Sequence, residues 1–312
     1  MGLPPAANRV SGAPVRIFSE QRREFTLEDI ALNPHCTALL PVLIALTMSF
    51  FSCGLAKGED QPPDADTPDQ AVPAAAPANS ATAPSDPWHA GFTGYIWFPG
   101  VHGVTGNLNH EVPFRASAGD LLSHFRFGLM GTLEAQRGRF VLLTDLMWVR
   151  LQANHQKALP YPGLPELSAQ VKAWEFIVTP EFGYRFVDGE KIKIDALGGL
   201  RYWHVGSSLH FTPSLLGLNF SGSLDFADPL MGARIQFPLS PKLLVTIMGD
   251  AGGWGAGAQL DYDIVGAIGY KLNPKFTMGV GYRYLYVDYH PGNFLYQVAM
   301  SGPGVYLTYN FK

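Results

Sequence analysis

Nine histidines are spread along the chain, and several stand near residues that could share chemistry with them. His102 and His110 fall within one glycine-rich stretch and His124 at its end; His204 and His210 flank Ser207 and Ser208; Asp288 and His290 are two residues apart. A hydrolytic site needs a base within hydrogen-bond reach of a nucleophile or a water, and an acid that holds the imidazole. None of these spacings is a motif that fixes such geometry, so no catalytic residue is assigned and the chain is expected not to be an enzyme. A hydrolase with a His/Asp/Ser site at a loop rim stays open as an alternative. Loop spacing as loose as that of His102, His110 and His124 specifies no metal geometry, so no metal ligand is assigned. The run Gly252-Gly253-Trp254-Gly255-Ala256-Gly257 is no nucleotide cradle, because no helix pattern follows it, and no cofactor is expected. It reads instead as a tight hairpin link. Cys36 and Cys53 lie in the N-terminal region without the spacing of a metal or disulfide framework.

A second set of chemistry-bearing residues is larger. Glu134, Asp145, Glu175, Glu181, Asp195, Asp261 and Asp263, with Arg185, Arg201, Arg234 and Arg283, all fall on one parity of stretches that alternate polar and apolar. Both signs of charge on one face suit a buried network, since a charge is tolerated out of water only when paired. Asp261 and Asp263 share a face two residues apart. They could form a proton or cation site; pairing with Arg283 and neighbours such as Arg234 is the expected arrangement.

The elements that carry these charges have period 2. In Lys172–Phe186, Trp174, Phe176, Val178, Phe182, Tyr184 and Phe186 oppose Glu175, Thr179, Glu181, Gly183 and Arg185. The same split marks Ile192–Tyr202, Leu260–Leu272 and Phe276–Tyr286 and, less cleanly, Phe92–Phe98, Arg126–Gln136, Phe140–Leu151, Leu230–Phe237, Leu243–Gly252 and Val298–Phe311. That makes about ten strands, with eight as the alternative, most of them near the 9–11 residues that cross a bilayer at a tilt. Short turns at Arg137-Gly138, Val187–Glu190, Ser240-Pro241 and Asn273-Pro274 alternate with long links at Gly100–His124, Asn154–Gln170 and Thr212–Ser223. Tight turns at one end and long loops at the other describe an all-β, antiparallel, up-and-down transmembrane barrel.

Composition agrees. Of 312 residues, 47% are hydrophobic and only 15% charged, and mean hydropathy is +0.05. Yet no apolar run after residue 60 reaches the length of a membrane helix. The apolar parity carries aromatics near strand ends (Trp97, Trp148, Trp174, Tyr184, Phe186, Tyr202, Tyr270, Tyr284, Tyr286), which suits a membrane boundary. The polar parity is rich in small residues such as Ala267, Gly269, Gly279 and Gly281, which make room in a crowded lumen. A lumen of this size is filled by its own side chains, which argues against a wide pore. A net charge of -4 and the lack of a basic patch argue against nucleic acid as a partner.

Three regions divide the chain. Residues 1–56 form an extension and a secretory signal whose apolar core runs from Thr37 to Phe51, with Gly54-Leu55-Ala56 as a cleavage point. Ser52-Cys53 would end a lipoprotein signal, but Phe50 and Phe51 occupy positions that favour small or branched residues. Residues 57–87 are rich in Pro, Ala and Asp, and read as a periplasmic linker too polar to bury a core. Residues 88–312 are the barrel.

The last strand reads GPGVYLTYNFK. Gly304, Leu307, Tyr309 and Phe311 within it resemble the C-terminal signal of Gram-negative outer-membrane proteins, although Lys312 follows where the aromatic is usually last. Pro303 points to a bulge or a strand start. FRFGLMGTLEAQRGRFVLLTDLMWVRL (Phe125 to Leu151), ALGGLRYWHV and GVGYRYLYVDY resemble hairpins of small outer-membrane barrels of the opacity or OmpA-barrel type. The resemblance covers roughly residues 88–312 and implies a place, the outer membrane, with lipid and the barrel-assembly machinery as partners. The expected role is structural or surface interaction, with outer loops presented to a ligand of unknown identity. A narrow porin-like channel is a further alternative.

Overall fold

The computed structural model describes residues 87–107, 110–157, 167–212 and 219–311. The expected signal and linker lie outside these residues, apart from Pro87, as does Lys312. Twelve strands and one short helix follow in order: β1 (His89–Trp97), β2 (Gly100–Asn107), β3 (His110–Ala116), α1 (Ala118–Ser123), β4 (Phe125–Arg137), β5 (Phe140–Lys157), β6 (Leu167–Asp188), β7 (Lys193–Thr212), β8 (Asn219–Pro238), β9 (Leu243–Gly253), β10 (Leu260–Lys271), β11 (Phe276–Tyr289) and β12 (Phe294–Asn310).

Ten of these strands, β1 and β4 to β12, close into one antiparallel barrel. Each pairs with the next in the chain, and β12 pairs with β1 through Trp97↔Gly304 to Gly91↔Asn310. Closure leaves no edge to be satisfied by lipid. Among the described residues no helix is long and apolar enough to cross a membrane; the strands do the crossing.

The segment expected as the first long loop is more ordered than its composition suggested. β2 continues β1 along β12 in the same register (Trp97↔Gly304, then Gly100↔Ser301), and β3 folds back on β2. The break between β1 and β2 falls at Phe98-Pro99, opposite Pro303. Pro303 has no N–H to give, so only the Phe98 N–H bonds across, to the Pro303 carbonyl at 2.9 Å. The strand start expected at Pro303 is therefore absent. β12 runs through it, and the interruption is transferred to the neighbouring strand. A six-residue helix, α1, then leads to β4; Ser117 caps it in a reciprocal pair with Asp120. β5 to β8 also run further outward than the alternation indicated, to Lys157, from Leu167, to Thr212 and from Asn219.

The two parities become two faces. Phe92, Leu133, Phe182, Leu200, Ile264, Ile268, Val280 and Leu307 are exposed on the outside of a closed sheet. An apolar band of this extent around a cylinder is a lipid-facing surface. Trp97 does not join the aromatic girdle that its place near a strand end predicts: it points inward, 6% exposed, and donates its indole N–H to the Gly302 carbonyl at 3.1 Å. Its neighbour Ile96 takes the outward position.

The lumen is packed. Glycine makes this possible where a ring must fit: a Cβ on Gly269 would lie 2.5 Å from the Tyr306 hydroxyl. Toward the short-turn end the filling is mainly charged, beside a small buried apolar cluster of Val141, Leu143 and Leu197. Toward the long-loop end it is apolar, with Trp97, Met147, Ile177, Trp203, Phe226, Leu285, Tyr296 and Met300 in one buried cluster. The sequence predicts an interior filled by paired charges; the structure fills the part toward the long loops with hydrocarbon and aromatic rings instead.

Candidate functional site

Register explains the first part of the charged lumen. Arg185, Asp195 and Arg234 are cross-strand neighbours on β6, β7 and β8. Arg185 donates to Asp195 Oδ1 at 2.7 Å, and Arg234 Nε to Asp195 Oδ2 at 2.8 Å. Arg234 then reaches over the lumen with its two terminal nitrogens to both oxygens of Glu134 on β4, at 3.0 and 2.9 Å. Two guanidiniums meet two carboxylates, and the fork geometry suits both.

The second part lies one layer further out. Arg201 on β7 donates Nη1 to Asp261 at 2.6 Å, Nη2 to both oxygens of Asp250 at 2.9 and 2.8 Å, and Nε to Thr179 at 3.2 Å. Asp263 lies 3.7 Å from the same guanidinium. Arg283 on β11 binds Asp263 at 2.7 Å and Asp145 at 3.1 Å, and donates to the Tyr95 hydroxyl at 2.8 Å. Tyr95 donates to Asp145, as does Thr132 at 2.8 Å. The Arg283 guanidinium also lies 5.3 Å from the Trp97 ring centre, a cation–π contact at the boundary between the two fillings.

The structure thus gathers nine of the eleven charged residues singled out in the sequence into ion pairs. Glu175 and Glu181 differ. Both face inward, but Oε1 of each is buried with no hydrogen-bond partner, and neither forms an ion pair among the described residues. Asp261 and Asp263 also divide differently from the expected pairing with Arg283: Arg283 takes Asp263, while Asp261 goes to Arg201 and to the Trp203 indole N–H at 2.8 Å. Asp250, Tyr95 and Trp203 complete the layer. Asp250 lies on the inward parity of β9, but the reach of Arg201 across three strands leaves no trace in spacing.

The rim histidines do not converge. His204 faces outward on β7, while Ser207 faces inward with a buried hydroxyl, so that pair sits on opposite faces of one strand. His204 Nδ1 meets Asp225 at 2.7 Å, and its Nε2 accepts the Trp174 indole N–H at 3.1 Å. The nitrogen that would serve as a base is occupied. His210 meets Asn219 at 3.1 Å, and His124 packs over the end of α1 with Nδ1 2.8 Å from the Ser123 hydroxyl. The His290 and Asp288 side chains lie 3.4 Å apart. The side chain of His110 lies outside the described residues. Among those described, no three His, Cys, Asp or Glu side chains gather as a metal site.

Leu307 on β12 and Phe311 just beyond it are exposed on the outer face, while Gly304 and Tyr309 take part in the pairing with β1 that closes the barrel.

No family model matches the chain, and no curated protein matches it. Solved structures do. The outer membrane protease OmpT from Escherichia coli aligns over 74% of this chain and 99% of its own, with a TM-score of 0.50 at 10% identity. What the two share is a fold. The translocator domain of the autotransporter NalP from Neisseria meningitidis aligns over 74% of this chain and 90% of its own, at 14% identity and a TM-score of 0.33. Ail, the attachment invasion locus protein of Yersinia pestis, aligns over 72% and 99%, at 10% identity and a TM-score of 0.31.

Proposed function

We propose that the protein is an integral outer-membrane barrel with a structural or surface-interaction role, stoppered along its axis and presenting its outer rim to a ligand. The observation that carries this reading is the pair of fillings in series: the arginine–carboxylate lattice and, outward of it, the cluster around Trp203 and Phe226. A solute would have to displace both. The lipid-facing band supports residence in a membrane, and a ten-strand barrel built this way supports the outer membrane of a Gram-negative cell. Secretion by a cleaved signal, a periplasmic linker, and delivery by assembly machinery that reads Gly304, Leu307, Tyr309 and Phe311 belong to the same proposal.

The test is fractionation followed by gel mobility with and without boiling, then planar-bilayer conductance of the folded protein. A heat-dependent shift in the outer-membrane fraction with silent bilayers supports the reading. Steady single-channel steps would replace it with the narrow-channel alternative.

A second reading, hydrolysis at the rim, is motivated by the Asp288–His290 proximity together with the protease among the fold neighbours. Its test is a peptide or lipid hydrolysis assay on the folded barrel. Activity lost in His290→Ala with the barrel intact would favour it; no activity in either protein would end it.

A further inference from the structure

Three consecutive strands of the outer wall share one pattern. On β5, Arg150 is the next outward residue beyond Trp148; on β6, Lys172 is the next beyond Trp174; on β4, Arg126 directly precedes Phe127 at a β-bulge. Register brings them together. Arg150 pairs with Phe127 on one side and Trp174 on the other, and Lys172 pairs with Gln152. Arg150 and Lys172 are thus diagonal neighbours on one face, within reach of a common ligand. All three cations are exposed. The Arg150 guanidinium lies 4.9 Å from the centre of the Trp148 ring, and Phe127 meets that ring edge-on at 5.0 Å, so the cation rests on an aromatic platform. Alongside, Gln152 and Gln170 donate to Asn154 Oδ1 at 3.3 and 3.1 Å, an uncharged polar strip.

None of the three cations forms an ion pair with the described residues. Among those residues, the outward acid at this boundary on β4 to β8 is Asp225, and it is taken by the Tyr202 hydroxyl and His204. The seven other barrel strands carry no outward lysine or arginine here; on β10 and β11 the girdle is the tyrosine group Tyr262, Tyr284 and Tyr286. The positive charge is confined to one side of the barrel. Aromatic rings near the outer ends of the strands mark the level where hydrocarbon gives way to headgroups. Cations one step further out stand at the level of lipid phosphates, to which clustered basic residues are attracted.

We propose that Arg126, Arg150 and Lys172 form a docking surface for an outer-leaflet lipid that carries more than one phosphate. Charge complementarity and continuity with the lipid-facing band select this occupant. Arg150 offers a guanidinium fork, steadied by Trp148, to two oxygens of one phosphate; Lys172 offers a point charge to the next. The rings of Trp148 and Trp174 meet the upper part of the acyl chains, and Gln152, Asn154 and Gln170 lie beside the polar head. The inference rests on the outer-membrane reading above and gives its surface role a ligand class.

The test is native mass spectrometry of the full chain folded in detergent, in about 0.15 M ammonium acetate, with diphosphoryl lipid A, monophosphoryl lipid A or phosphatidylcholine as the probe. The wild-type protein should hold the diphosphoryl form about tenfold or more tightly than phosphatidylcholine, with the monophosphoryl form between them. Arg150→Gln with Lys172→Gln should remove that preference. Arg137→Gln with Lys193→Gln, at the short-turn end, should keep it. The three probes on the wild-type protein decide the matter even if a variant does not fold. Equal retention of the three lipids, or equal loss in both double variants, overturns the proposal. So does an adduct with inorganic phosphate or a heparin fragment that the Arg150/Lys172 variant loses while its lipid A binding is unchanged, since the surface would then serve a soluble anion. A chain without the heat-dependent shift in the outer-membrane fraction fails the barrel reading and takes this inference with it; one that shifts but binds the three lipids alike fails this inference alone.

Discussion

Arg234 on β8 and Glu134 on β4 form a two-pronged ion pair across the lumen, although 100 residues separate them. The two ends of this contact are unlike. The Arg234 side chain is 5% exposed and also serves Asp195; that of Glu134 is 37% exposed. Removing the arginine should therefore cost about 3 kcal/mol, because it leaves Asp195 with a single partner in a dry site. Replacing Glu134 with Gln should cost less than about 1 kcal/mol, because water can take its place. Denaturant unfolding of the detergent-folded barrel, comparing Arg234→Ala with Glu134→Gln, measures both. Equal costs would mean that the two ends are equally shielded from water.

Gly269 and Gly279 are opposite each other on β10 and β11, and both leave room for Tyr306, but for different reasons. At Gly269 the atom nearest to an added Cβ is the Tyr306 hydroxyl; at Gly279 it is the Ile268 carbonyl, 2.2 Å away. Gly269→Ala should be destabilising by roughly 1–3 kcal/mol and largely rescued by Tyr306→Phe. Gly279→Ala should not be rescued, because backbone cannot yield. A double-mutant cycle on thermal unfolding separates the two cases.

The lipid face can be tested by depth. Ile264 lies toward the middle of β10, and Tyr270 lies beside the short turn that ends it; both side chains point outward. Arginine at Ile264 should lower the folding free energy in lipid vesicles by about 2–4 kcal/mol, and arginine at Tyr270 by about 0–1 kcal/mol. An equal, small effect at both positions would mean that this face meets water.

At α1, Asp120 accepts from the Ser117 N–H at 2.9 Å and from the Ser117 hydroxyl at 2.7 Å, and these bonds hold its carboxyl below the usual carboxylate range. A depressed value means that the cap is fully present above the ordinary carboxylate pKa and is lost as pH falls through the lowered one. Hydrogen exchange at the first turn of α1 should therefore rise on acidification. In Ser117→Ala it should be high already and respond less to pH. Equal responses in both proteins would count against the cap.

The barrel strands were legible because two independent chemistries sit on opposite parities. Phe182, Tyr184 and Phe186 meet lipid, Glu181 and Arg185 meet the lumen, and a one-residue slip would exchange every one of them. β2 and β3 were not legible. Gly100, Gly103, Gly106, Pro99 and Pro113 read as loop, and only the continuing register on β12 makes that stretch a strand. Which carboxylate meets which arginine was equally hidden. Parity places Glu175 and Arg283 on the inner wall, but reach across a lumen depends on closure and strand tilt, which no local spacing records. Trp97 shows the same limit: an aromatic at a strand end fits a membrane girdle and a luminal core equally well until the parity of Ile96 is fixed.

The stopper itself offers the last test. Phe226 lies between Trp203, with ring centres 5.8 Å apart and 11° between planes, and Tyr289, at 4.1 Å and 9°. Trp203 is fully buried and also anchors Asp261. Trp203→Ala should cost about 3–5 kcal/mol in unfolding free energy, as large core truncations do. It should nevertheless leave planar bilayers silent. The cavity would open only the apolar layer, and the lattice of Arg185, Arg201, Arg234 and their carboxylates would still span the lumen beneath it. Conductance steps in this single variant would show that ions pass between the paired charges, and that the apolar cluster alone keeps the barrel shut.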